Sequence, residues 1–278
     1  MANQDPIAIL PTPDHYGFPG KSFFFKPSLN CVFDCSYCYL KGSFKNRFPV
    51  IFVNYEQMQI AIGQQIKKLR TTGYNEQITF YASNYADLLA IEQRTHFHES
   101  FLPFFQQYEN VVLETRTKSA NIETLTQLAQ HSTIGSSNTE IAFSLSPSPI
   151  AKRYELGTAS LEQKLNAINK LLQLNYRVGL RFLPLLPIEN YETVYEEMLN
   201  QIKNSINLQR ISSIFIAPLL YNAGDFAVIK KKKPDFPFRE TLQARENGLM
   251  KMEEQHYERF FQLFQQAFPE KEILWDYK

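Results

Sequence analysis

The amino-acid sequence predicts an α/β fold, a partial (β/α)6 TIM barrel with a short C-terminal α/β extension. Three observations predict it. Apolar, β-rich runs alternate with amphipathic helical stretches through the middle of the chain, the pattern of parallel α/β architecture. No Gly-x-Gly-x-x-Gly follows any of those runs, which argues against an open nucleotide-binding sheet. The cysteines Cys31, Cys35 and Cys38 fall just after the first run, where barrel loops gather functional groups at the C-terminal mouth.

Taken in order, the predicted strands are Phe23–Pro27, Gln77–Ala82, Val111–Thr117, Ile141–Ser146, Val178–Leu185 and Ile211–Ala217. Each is a short apolar run rich in β-branched or aromatic residues, the composition of a strand buried on both faces. Between them, helical periodicity predicts Tyr55–Arg70, Ile91–Tyr108, Ile122–His131, Leu161–Leu174 and Tyr191–Ile206. Beyond the last unit, Leu219–Ile229 carries turn residues between apolar runs and reads as a hairpin. Lys230–Lys233 followed by Pro234 is the one sharp break in composition. A helix over Glu240–Phe268, apolar at Leu242, Met250, Met252, Tyr257, Phe260, Phe261 and Phe264, is expected to close the open side of the barrel. Ile273–Trp275 is strand-like and expected to pack in the core. The expected division is a lead-in over residues 1–22, a barrel over 23–217 and a C-terminal hairpin and helix over 218–278.

Composition bounds the function. The chain is 44% apolar and 14% aromatic, ample for a large core, and its net charge of +1 neither demands nor excludes an acidic partner. If nucleic acid binds, a local basic patch must hold it. No apolar run is long enough to cross a membrane, and the N-terminal residues lack the charged and apolar blocks of a signal peptide. The expectation is a cytoplasmic enzyme that binds no membrane, and reduced thiols agree with that compartment.

The cysteines stand as C-V-F-D-C-S-Y-C, and the chain has no others. Soft thiolates select zinc, copper(I) or iron–sulfur clusters. Structural zinc takes four closed ligands, and the nearest histidine, His15, lies far upstream. A cubane cluster can take three thiolates and leave one iron open to a further ligand. A zinc site completed by a distant histidine, or three unrelated thiols, are the alternative readings. The C-x3-C-x2-C spacing with Tyr37 before the last cysteine resembles the motif of the radical S-adenosylmethionine (SAM) enzymes. That resemblance implies a [4Fe-4S] cluster whose free iron binds SAM and cleaves it to a 5′-deoxyadenosyl radical. The barrel is then of the radical SAM type.

Strand ends narrow the resemblance. Cys38-Tyr39-Leu40, Asp87-Leu88-Leu89-Ala90-Ile91-Glu92, Thr117-Lys118, Phe143-Ser144-Leu145-Ser146 and Tyr154-Glu155-Leu156-Gly157-Thr158 are similar to the spore photoproduct lyase family. So is the stretch from Leu161 through Asn175-Tyr176-Arg177-Val178-Gly179 to Pro184. Members repair a methylene-bridged thymine dimer in DNA through a substrate radical. The resemblance implies that Tyr37 lies beside the SAM adenine and that Lys118 meets its carboxylate. It also assigns Ser83 and Asn84 to the cofactor. Ser144 and Ser146 share one strand face by period two and can both donate inside the barrel. Arg181, on an otherwise apolar strand, can reach an anionic group there. Packing of Tyr37 on the barrel, a solvated Lys118, structural hydrogen bonds for the serines and an outward-snorkelling Arg181 are the plainer readings.

Two departures from the family stand out. Its members carry a further cysteine after the second strand that gives hydrogen to the product radical, whereas this segment reads Ser83-Asn84-Tyr85-Ala86-Asp87. Serine and asparagine hold their hydrogens too strongly for that role, which leaves Tyr85 as the candidate donor or relay. Members also carry an N-terminal domain before the barrel, and only about twenty residues precede the first strand here. Near the C-terminus, Lys230 and Lys231 beside Tyr221 and Phe226 form a candidate phosphate-tracking and base-stacking surface. Trp275 is a remoter candidate platform. Expected partners are damaged DNA and an electron donor such as flavodoxin or ferredoxin. A small metabolite, nucleoside or peptide substrate, and a non-enzymatic zinc module, are the alternatives.

Overall fold

The computed structural model describes residues 5, 7–12, 20–44, 48–131, 138–233, 236, 238–245 and 248–275. An eight-stranded sheet curled into a half-barrel forms its centre. The strands are β1 Leu10–Pro11, β2 Lys21–Phe24, β3 Ile78–Tyr81, β4 Val111–Thr117, β5 Thr139–Ser144, β6 Arg177–Leu185, β7 Ser213–Pro218 and β8 Ile273–Trp275. They lie in that order across the sheet. Every pair from β2 to β8 is parallel, and β1 runs antiparallel on β2. The six strands read from the sequence are β2 to β7. Ile273–Trp275 does more than fill the core, because it pairs with β7 as Ile214↔Ile273 and Ile216↔Trp275 and extends the sheet.

Helices cover the outer face. Tyr55–Thr71 buries Met58, Ile62, Ile66 and Leu69, a single stripe at helical spacing. Leu161–Gln173 starts at a capping box between Ser160 and Gln163. The helix expected over Ile91–Tyr108 is broken at His96, whose φ of 49° is left-handed, into Glu92–Thr95 and Phe97–Phe105. The Glu92 carboxylate makes the break: it accepts from the backbone N–H of His98 at 2.9 Å and meets the His98 Nδ1 at 2.6 Å, so it caps the second helix from the first.

The C-terminal region corrects the sequence reading twice. Leu219–Ile229 is no hairpin. Leu220–Asn222 pairs antiparallel with Leu249–Lys251, and the chain then turns into a helix over Ala223–Lys232 that buries Phe226 and Ile229 three residues apart. The long helix expected from Glu240 begins only at Glu254, because the strand pieces Gln243–Ala244 and Leu249–Lys251 take up the preceding backbone. That helix, Glu254–Ala267, packs Phe260 edge-on against Tyr195 and tilted against Tyr191, and Phe264 edge-on against Phe182. Trp275 lies 4.1 Å, ring to ring, from Phe261, so it packs against this helix. Among the described residues no helix is long and apolar enough to cross a membrane.

Paired residues of parallel neighbours share a face, so register defines what points into the barrel. Glu114 pairs with Glu140, Arg116 with Ala142, Gly179 with Ala142 and Ser213, and Arg181 with Ser144 and Phe215. The lower interior is therefore ionic. Arg181 is fully buried; it donates to Glu114 at 2.7 Å, to Ser213 Oγ at 2.8 Å and to Glu140. This corrects its assignment to a cofactor: the anionic groups it reaches inside the barrel are protein carboxylates. Gly179 makes the room, since a Cβ there would lie 2.5 Å from Glu140 Oε1 and 2.7 Å from Arg181 Nη1.

Candidate active site

The cysteine loop is held from both sides. Asp34–Cys35 forms a two-residue antiparallel ladder with Glu155–Leu156, pairing Cys35 with Glu155. Alternation turns Cys35 and Glu155 inward and leaves Asp34 and Leu156 exposed. The Ser36 N–H donates to the Tyr154 carbonyl at 2.8 Å and extends the attachment. On the far side, the short helix Leu40–Ser43 packs on Ala223–Lys232 so closely that a Cβ on Gly42 would lie 2.7 Å from the Asp225 carbonyl oxygen.

All three cysteines line one cavity of about 520 Å³ at the C-terminal ends of the strands. Its wall includes Tyr37, Tyr39, Ser83, Asn84, Tyr85, Asp87, Arg116, Lys118, Ser144 and Tyr221. The structure thus brings the cysteines together with Tyr37, Ser83, Asn84, Tyr85, Lys118, Ser144 and Tyr221 from the sequence reading. Ser146 sits one step behind, and Arg181 lies below in the ionic layer. Lys230 and Lys231 do not line the cavity; they end the helix Ala223–Lys232, where cations suit its C-terminal dipole, and Lys230 lies 4.8 Å from the Phe226 ring. Tyr221 and Phe226 are both 2% exposed, so neither is an open stacking platform for bases, and the Tyr221 hydroxyl instead donates to the Tyr37 carbonyl.

Two carboxylates that sequence reasoning did not single out organise this wall. Asp87 accepts from Thr117 Oγ1 at 2.8 Å, from the Lys118 N–H at 2.6 Å and from the Ala90 N–H at 3.0 Å, which fixes the end of β4. Burial raises its carboxyl above the usual range. Glu155 is the hub. Its Oε1 accepts from Ser146 Oγ at 2.6 Å, from Lys118 Nζ at 3.1 Å and from the Tyr37 hydroxyl, and the Lys164 ammonium stands 4.0 Å from Oε2. Three residues assigned to the cofactor from sequence therefore share one buried protein carboxylate. A signal for Glu155 lay in the matched stretch Tyr154–Thr158, but nothing local marks a lone glutamate beside a loop as an acceptor.

The charges follow from this geometry. Burial pushes the Glu155 carboxyl up, yet Lys118 and Lys164, with the hydrogen bonds of Ser146 and Tyr37, outweigh it and bring it to about 2. Burial opposes the Lys118 charge, and Glu155 overcomes that too, so the ammonium is held above its ordinary value. Lys164, desolvated and repelled by Lys118, falls to about 8 despite Glu155. Because the Glu155 carboxyl is depressed, its stabilisation is complete above its ordinary pKa of 4.5 and is lost as pH falls from there toward about 2. In denaturant titrations at a series of pH values, the stability advantage of wild type over Glu155→Gln is expected to shrink through that window. A pH-independent difference would contradict the assignment.

The cavity fits a thiolate-bound cluster with an organic ligand beside it. Burial pushes the Cys31 and Cys35 thiols up to about 12 and raises Cys38, so binding a cationic centre must displace their protons. Among the described residues no three His, Cys, Asp or Glu side chains are arranged to hold a single metal ion, and the thiols line a common wall. Ser83 Oγ is buried on the cavity wall with no hydrogen-bond partner, which leaves a polar atom to satisfy there.

The family model for spore photoproduct lyase matches residues 19–237. The spore photoproduct lyase of Clostridium acetobutylicum is 26% identical over 190 residues, 65% of this chain and 54% of that protein. That of Bacillus subtilis is 26% identical over 174 residues, 62% of this chain and 48% of that protein. The chain spans about half the length of the curated relatives it matches. A spore photoproduct lyase mutant with bound AdoMet and dinucleoside spore photoproduct superposes with a TM-score of 0.78 at 17% identity, covering 92% of this chain and 76% of that one. A lyase complexed with the same dinucleoside gives 0.76 at 18% identity, covering 90% and 74%. These likenesses establish the half-barrel. With the family model matched over most of its length, the chain belongs to the spore photoproduct lyase family.

Proposed function

We propose that this chain is a radical SAM enzyme that repairs a thymine-dimer lesion of the spore-photoproduct type in DNA. The observation that carries the reading is one cavity whose wall holds every cysteine of the chain together with Lys118 and the unsatisfied Ser83 hydroxyl. Cys31, Cys35 and Cys38 would hold a [4Fe-4S] cluster, which when reduced supplies the electron that cleaves SAM to a 5′-deoxyadenosyl radical. Lys118, kept charged by Glu155, offers a point charge to the SAM carboxylate. Ser83 and Ser144 offer hydroxyls on the same wall, and Tyr37 offers a ring whose hydroxyl is already tied to Glu155. Relatives solved with a dinucleoside spore photoproduct support the substrate class. Free cysteines agree with a reducing, cytoplasmic setting, and a flavodoxin or ferredoxin would supply the electron.

Tyr85 takes the place of the missing thiol. It lines the cavity, its ring 6.1 Å from those of Phe24 and Phe44, with Lys26 Nζ at 5.8 Å. In its role as hydrogen donor or relay, Tyr85→Phe is expected to abolish lesion repair while 5′-deoxyadenosine still forms. An unchanged repair yield removes Tyr85 from the mechanism. The reading as a whole is tested by anaerobic reconstitution, reduction and incubation with SAM and the dinucleoside lesion. Formation of 5′-deoxyadenosine and of restored thymines is expected; an iron-loaded, reduced protein that makes neither overturns it.

A further inference from the structure

We propose that Arg116 is the residue that reads the substrate, donating to the carbonyl oxygens of the damaged pyrimidine at the floor of the cavity. This rests on the lesion-repair reading above. Among the described residues lining the cavity, Lys118 and Arg116 are the only lysine or arginine side chains. Arg116 lies within β4 and Lys118 just past its end, two residues on, so the Arg116 backbone is set about 7 Å further down the strand from the mouth. Lys118 is engaged by Glu155 beside the cysteine loop, whereas Arg116 is engaged by Glu114 lower on the same strand.

Its setting is built for a planar acceptor. Glu114 Oε1 holds the Arg116 Nε at 2.5 Å and so fixes the plane of the guanidinium. Glu114 is itself held by Arg181, so the anchor does not swing. The Tyr81 ring lies 5.2 Å and the Phe215 ring 5.9 Å from the guanidinium carbon. On the neighbouring strand β5 the residue level with Arg116 is Ala142, too small to cover it. Phe24, Tyr85 and Phe215 complete an aromatic chamber in which a base can lie flat while its polar edge meets the fork. A rigid guanidinium presents paired N–H donors to such an edge in a way that a lysine ammonium does not. A phosphate has the same acceptor chemistry, and the test separates the two.

The experiment compares wild type, Arg116→Lys and Arg116→Met, each reconstituted with iron. Binding of two ligands is measured by calorimetry: the dinucleoside lesion, which has no phosphate, and the corresponding dinucleotide, which has one. SAM cleavage in the absence of substrate is followed in parallel. The expected result is a loss of affinity of about tenfold or more for both ligands alike in both variants, with SAM cleavage unchanged. Arg116→Lys keeps a charge beside Glu114 and guards against a trivial folding defect. A loss confined to the dinucleotide would move the contact to phosphate and overturn the carbonyl assignment. Full binding of both ligands by Arg116→Lys and Arg116→Met would overturn the proposal entirely. Absence of SAM cleavage in the wild type would instead break the radical SAM reading, and binding of the dinucleoside alone would still decide the role of Arg116.

Discussion

Cys35→Ala is expected to lose the bound iron and all formation of 5′-deoxyadenosine while leaving the fold intact. The chain holds no fourth thiol that can move into the gap, and apart from Cys31 and Cys38 the polar side chains among the described residues of the cavity wall are oxygen and nitrogen donors unsuited to a soft cluster. Backbone pairing carries the ladder that positions this residue, Asp34 with Leu156 and residue 35 with Glu155, so an alanine keeps the loop in place. The side chain is small and the substitution removes one sulfur from a buried wall, a cost of about 1 to 2 kcal/mol on the usual scale for buried truncations. Iron analysis, the visible absorption of the anaerobic protein and chromatography of the SAM products check the outcome. A variant that retains its iron and still cleaves SAM would show that the three thiols do not act together, and the cluster assignment would fail with it.

How much of this was legible in the sequence depends on the range of the forces involved. Strands β2 to β7 were readable because a parallel sheet covered by helices leaves continuous apolar runs, and the helices between them because each needs one apolar stripe. The cysteine loop was readable because its ligands are close in sequence. What escaped was set by partners distant in sequence. Leu220–Asn222 and Leu249–Lys251 become strands only because they find each other, and the intervening chain becomes a helix where a hairpin was expected. Glu92 breaks a periodic helix by capping its second half, a bond that no periodicity reports. Glu155 collects Tyr37, Ser146 and Lys118 from three separate parts of the chain. Arg116 is different, because the period-two argument that places Ser144 and Ser146 inside the barrel also places Arg116 and Lys118 together, and it was not carried along that strand.

Arg181→Met is expected to be the most destabilising single change in the barrel, about 3 to 5 kcal/mol, because it removes the cation shared by two buried carboxylates and leaves Glu114 only Arg116 and Glu140 only the 3.7 Å contact of Arg177. Glu114 and Glu140 face each other across β4 and β5 in register, and the Arg181 guanidinium lies between them with donors to both. Burial alone would push the Glu114 carboxyl up; Arg116 and Arg181 reverse that and hold it below its ordinary range. Its contribution in the wild type is therefore present above the usual carboxylate pKa and is lost on acidification. Without Arg181, Glu114 keeps Arg116 but loses its second counter-charge, so its carboxyl rises from its depressed value and part of the penalty of keeping it ionised is felt at neutral pH and relieved as the solution is made acid. Urea unfolding of the two proteins across the acid range checks both statements: the gap in stability is widest near neutrality and narrows toward low pH. The triple variant Arg181→Met, Glu114→Gln, Glu140→Gln is expected to recover much of the loss, since it removes the orphaned charges along with the cation. A gap below about 1 kcal/mol for Arg181→Met would mean that solvent or other groups already neutralise these carboxylates, and the ionic floor on which Arg116 rests would not be the rigid support that its role requires.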